Sequence, residues 1–106
     1  MADRSQAELR AAYGQALAAL RTGRAETAER QLRAIQAAAP GEVNSLRLLG
    51  AALLAQDKVS PAIETLERAV AAAPKFWPAR TDLARAYRGD GRLRREDLGT
   101  LLITAS

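Results

Sequence analysis

Ala28, Leu32 and Pro40 recur 34 residues later as Ala62, Leu66 and Pro74, each set closing an alanine-rich stretch. A period of about 34 is the spacing of helix-turn-helix repeats. Two short helices leave one side of their pair uncovered, so pairs of this kind bury their apolar faces by stacking on one another. The repetition therefore predicts a layered, all-α chain whose function lies on a surface and not inside an enclosed core.

Composition agrees with a thin fold. The chain has 106 residues, enough for one small domain with a modest core. Many of its hydrophobic residues are alanines, which favour helix but bury little area each. The aromatics are Tyr13, Phe76, Trp77 and Tyr87. Close helix pairing must then supply stability, with Ala16, Gly50 and Ala84 at 34-residue steps allowing backbones to approach, and Leu49, Leu53, Leu66 and Val70 filling the layers.

Local signals set the helix limits. Ser5 and Glu8 have capping-box spacing, which predicts a first helix from Ser5 to about Arg21, stopped at Thr22-Gly23. A second helix is expected over Ala25 to Ala38, ended by Ala39-Pro40-Gly41, and a third over Val43 to Ala55, broken at Gln56-Asp57-Lys58. The fourth is expected from Ser60, read as its cap with Pro61 in the first turn, to Ala73. A fifth opens at Trp77-Pro78 and carries Leu83, Ala84 and Tyr87 where the third carries Leu49, Gly50 and Leu53. After Gly89-Asp90-Gly91 the register breaks: Glu96 and Thr100 fall where Ala62 and Leu66 stood one period earlier. A shift of one residue recovers an apolar face of Leu98, Leu101, Leu102 and Ala105, which predicts a sixth helix, weakened by Gly99.

The run Leu46-Arg47-Leu48-Leu49-Gly50-Ala51-Ala52-Leu53, followed by Ala62-Ile63-Glu64-Thr65-Leu66 and then Pro74, resembles the tetratricopeptide repeat in residue type and spacing. The resemblance implies a right-handed α-solenoid of antiparallel helix pairs, six helices in one domain, with repeats at about 9–42, 43–76 and 77–106. It also implies a concave groove, lined by the first helix of each pair, where peptides dock. Carried onto this sequence, the groove positions are Arg10, Tyr13, Gly14 and Leu17, then Asn44, Arg47, Leu48 and Ala51, then Thr81, Asp82, Arg85 and Arg88. One subgroup clamps a C-terminal carboxylate with Lys and Asn, but Tyr13 and Leu17 stand at those sites in the first repeat, which argues against a chaperone-tail adaptor. Arginines beside Tyr13, Leu17 and Leu48 suit an extended acidic peptide with an apolar anchor.

Other function classes find less support. With no Cys and no His, thiolate and imidazole chemistry and the common zinc-ligand sets are excluded within this chain, and no metal or cofactor is expected. Gly89-Asp90-Gly91 reads as a turn, since the third glycine and the preceding strand of a phosphate loop are missing. Ser5 and Ser60 read as helix caps, without a basic partner to make either a nucleophile. No active site is nominated, so the chain is expected not to be an enzyme. No signal pattern or membrane-length apolar run is present, and a cytoplasmic location is expected. The net charge of +4 raises nucleic-acid binding as an option, but four acids interrupt the stretch from Asp82 to Asp97 and stacking aromatics are few. Two further readings stand beside the peptide groove: self-association through Leu98, Leu101, Leu102 and Ile103, and service as the N-terminal interaction domain of a larger bacterial enzyme.

Overall fold

The structure, a computed structural model, describes residues 2–90. Within them the chain forms five helices and no strand: α1 (Ala2–Arg21), α2 (Ala25–Ala38), α3 (Val43–Ala55), α4 (Val59–Ala72) and α5 (Trp77–Asp90). The expected sixth helix, with Leu98, Leu101, Leu102 and Ile103, lies outside the described residues. Each helix packs on its neighbours in sequence, and α1, α3 and α5 also touch in succession, whereas α2 and α4 do not meet. The stack therefore closes on the α1–α3–α5 side.

The 34-residue period is written into the turns as well as the core. Gly23 (φ +79°) and Asp57 (φ +61°) both take the left-handed conformation. Behind them the amide of Arg24 donates to Ala19 O (2.7 Å) and that of Lys58 to Leu53 O (2.9 Å), the same closure one period apart. Glycine adopts this conformation freely, and aspartate is among the residues that tolerate it. The second kind of turn repeats too: Ala39 N–H donates to Ile35 O and Ala73 N–H to Ala69 O.

The structure corrects two expected helix starts, those of α4 and α1. Helix α4 begins at Val59 with Lys58 as its N-cap and no side-chain cap bond, so Ser60 lies inside the first turn and is not the cap. Helix α2 starts in the same way behind Arg24. Once the left-handed residue has folded the chain back, the next carbonyl already accepts the first helical bond, Ala28 N–H to Arg24 O and Ala62 N–H to Lys58 O. Pro61 is tolerated because amides of the first turn have no intrahelical partner to lose. Helix α1 likewise begins before Ser5, at Ala2, so Ser5 is not its cap.

The core is built from the repeated positions. Ala16, Ala28, Leu32, Ala62 and Leu66 are fully buried, and Leu49 and Leu53 nearly so. Burying each Leu stabilises the stack by about 1.5–3 kcal/mol. A first cluster joins α1, α2 and α3 around Leu32, Ile35 and Leu53, and a second joins α4 and α5 through Ile63, Leu66 and Leu83. A third, around Leu46, Ala69 and Ala79, takes in Phe76. Trp77, by contrast, remains 43% exposed.

A polar tie holds the first pair to the second. Glu29 on α2 accepts hydrogen bonds from Gln56 Nε2 (2.9 Å), Arg33 Nε (2.9 Å) and Lys58 Nζ (3.1 Å). The Gln56 hydrogen bond above all, with those from Arg33 and Lys58, lowers the Glu29 pKa from 4.5 to about 2, against the upward push of burial. A carboxyl depressed on folding stabilises the fold above its unfolded pKa and loses that contribution as pH falls through its folded one. Glu29→Gln is therefore expected to cost about 1 kcal/mol at pH 7. In urea melts its difference from the parent should shrink as pH drops from 4.5 to about 2, and a gap independent of pH would refute the assignment.

Candidate peptide-binding groove

Helical spacing puts the expected groove residues on one face of each first helix, since positions three, four and seven apart share a side. Arg10 and Gly14 on α1 are exposed, and Tyr13 and Leu17 are half-buried against the core. On α3, Asn44 is exposed and Arg47 and Ala51 are half-buried. Leu48 is only 5% exposed and belongs to the cluster joining α1, α2 and α3, so it supports the groove from beneath. On α5, Thr81 and Asp82 are half-buried, while Arg85 and Arg88 are exposed.

The middle of this face is internally paired. Asp82 accepts from Arg47 Nε at 3.1 Å, linking α5 to α3, and Arg85 approaches its other oxygen at 3.7 Å. Arg85 remains largely exposed, so this second contact contributes little. Two cations and one carboxylate thus share the centre of the groove.

At the first-repeat end, Arg10, Tyr13 and Asn44 come together around a cavity of about 340 Å³ between α1, the end of α2 and the start of α3. Leu9, Ile35 and Ala39 give it an apolar lining. Its carboxylate, Glu42, caps α3: Oε2 accepts the Asn44 amide (2.9 Å), and Oε1 accepts the Ser45 amide (3.0 Å) and hydroxyl (2.6 Å). Burial pushes the Glu42 carboxyl up, but the hydrogen bonds from Ser45 and Asn44 outweigh it and hold the group below its ordinary value. Its charge also faces the positive end of α3.

The Yersinia enterocolitica type III secretion translocator chaperone SycD, in an alternative dimer, matches 92% of this chain and 72% of its own at a TM-score of 0.82 and 21% identity. A double mutant of MamA RS-1 matches 92% of this chain and 53% of its own, with a TM-score of 0.80 and 22% identity, so the chain spans about half of that protein's length. A further MamA mutant gives a TM-score of 0.78 at 21% identity, over 92% of this chain and 70% of its own. The fold is a tetratricopeptide-like helical repeat. No family model matches the chain, and no curated protein matches it in sequence.

Within the tetratricopeptide-like stack, the cavity draws on residues outside the expected groove set. Ile35 and Ala39 come from the second helix of the first pair and its C-cap, and Glu42 precedes α3. A sequence signal for Glu42 exists in hindsight: an acid three residues before Ser45, at a helix start, has the spacing of a cap. Leu98, Leu101, Leu102 and Ile103, the expected self-association residues, lie outside the described residues. Among the described residues, no group of three or more acids, His or Cys could hold a metal, and no helix is long and apolar enough to cross a membrane.

Proposed function

We propose that the chain is a cytoplasmic protein-interaction scaffold, without a reaction of its own, that holds an extended segment of a partner along the concave α1–α3–α5 side of a right-handed superhelix. The observation that carries this reading is the succession of first helices in contact, with Arg10, Tyr13, Asn44, Arg85 and Arg88 accessible along them. Cations beside apolar surface favour an acidic partner segment with an apolar anchor. The likeness to SycD, described as a translocator chaperone, agrees with a role in holding another protein.

The absence of cysteine makes the test direct, because one introduced thiol can be labelled alone. A Cβ added at Gly14 has no atom within 4 Å, so Gly14→Cys fits the face without disturbing it. A bulky maleimide there is expected to abolish capture of partners identified by mass spectrometry. The same label on Glu64→Cys, exposed on α4, should leave capture intact. Retention of the same partners by both labelled chains would overturn the groove reading.

A further inference from the structure

We propose that the cavity at the first-repeat end is the anchor site of the groove, taking one large apolar side chain of a partner segment while Arg10 binds a carboxylate on an adjacent residue of that segment. This rests on the scaffold reading and adds which part of the groove selects the partner and by what chemistry.

The cavity, at about 340 Å³ and open to solvent, has room for a large side chain, and its apolar lining comes from Leu9, Ile35 and Ala39. Ile35 is itself only 3% exposed and is held by the core, so the floor exists before any partner arrives. A preformed apolar hollow gains affinity because little ordering accompanies binding.

The polar equipment around it is biased toward donors. Among the described residues, the guanidinium of Arg10, the hydroxyl of Tyr13 and the carboxamide of Asn44 make no side-chain hydrogen bond; Asn44 uses only its backbone amide, toward Glu42. Both oxygens of Glu42 are engaged by the α3 cap, so that carboxylate offers Arg10 little hydrogen bonding. Further along the face, Asp82 already answers Arg47 and Arg85. Of these groups, Arg10 combines an unengaged cation with an adjacent apolar hollow. A carboxylate held by a guanidinium makes the stronger, charge-assisted kind of hydrogen bond. The groove is thus not uniformly acid-seeking: Arg47 and Arg85 are answered from within it, and Arg10 is the cation that lines the apolar hollow.

The test uses peptides selected from a random displayed library on the whole chain, then synthesised and titrated by fluorescence anisotropy. Enriched peptides are expected to carry Asp or Glu next to Leu, Ile, Met or Phe. Arg10→Gln, at an exposed position, should weaken them about tenfold, whereas Arg68→Gln, exposed on α4 and outside the groove, should change binding less than about twofold. Changing the peptide's acid to its amide should cost the same factor on the parent chain and nothing further on the Arg10→Gln chain, a coupling that a folding defect does not imitate. Ala39→Leu, narrowing the hollow, should weaken binding without altering the Arg10 coupling. Peptides without the acid–apolar pair, or absence of the coupling, overturn the anchor while leaving the groove reading in place, provided the Gly14 label still blocks them. Failure to enrich any peptide, or binding indifferent to that label, overturns both.

Discussion

Gly50→Ala is expected to destabilise the chain by about 1–2 kcal/mol, although alanine is the better helix former by about 1 kcal/mol. A Cβ at Gly50 would stand 2.6 Å from Leu66 Cγ and 2.7 Å from its Cδ2, so α3 and α4 are in contact through a missing side chain. The nearest obstruction is the branch point of Leu66, and Leu66 is fully buried, so it cannot swing into solvent. Either the pair separates or the leucine leaves its rotamer. The first repeat supplies the comparison: Ala16 and Leu32 occupy the equivalent sites, both fully buried, in a hairpin set to hold that Cβ. Urea melts of the two single variants and of Gly50→Ala with Leu66→Ala decide the cause. Leu66→Ala alone should cost about 2–5 kcal/mol, and markedly less when Gly50 is already alanine, because the clash is relieved. A Gly50→Ala chain more stable than its parent would show that Leu66 yields freely.

The sites of this contact were legible in the sequence, but its tightness was not. A small residue at 16, 50 and 84 announces close approach, and the period fixes which leucine lies opposite. Helix limits were also readable to within a few residues, because Gly23, Pro40, Asp57 and Pro74 act through their own backbone preferences. Ser5 and Ser60 mislead, because each has the spacing of a side-chain cap yet lies inside its helix. Behind Asp57 the start of α4 is set by backbone bonds closing the turn, and a serine three residues later has no free donor to claim as cap.

The candidate site was legible in part for a similar reason. Helical spacing assigns Arg10, Tyr13, Asn44 and Arg47 to faces, since that depends on one helix at a time. Whether a residue on the face is open depends on its neighbours. Leu48 is covered because α1 and α3 touch, and Arg47 is partnered because α5 brings Asp82 alongside. The cavity lining escaped for the same cause: Ile35 and Ala39 belong to α2 and its C-cap, not to the helices that line the groove.

A second substitution with a large expected effect comes from comparing the repeats with one another. Leu46 on α3 and Ala69 on α4 meet in one buried cluster, at 1% and 0% exposure. One period earlier the sizes are exchanged: Ala12 stands on α1 and Ile35, 3% exposed, on α2. Total volume is similar, but the large side chain now comes from the other helix. The exchange leaves a shallow groove of about 330 Å³ bordered by Ala12, Ile35 and Ala38. Ile35→Ala should therefore cost about 2–4 kcal/mol, as both members of the pair become small. Ala12→Leu with Ile35→Ala recreates the arrangement of the second repeat and should recover at least half of that loss. Ala12→Leu alone should change stability by less than about 1 kcal/mol, since the new side chain reaches a partly open groove but meets Ile35. The coupling between the two sites is the quantity measured, in a four-variant urea series. Costs that simply add would mean that the first pair and the second are packed by unrelated rules, and that the size exchange between repeats has no energetic meaning.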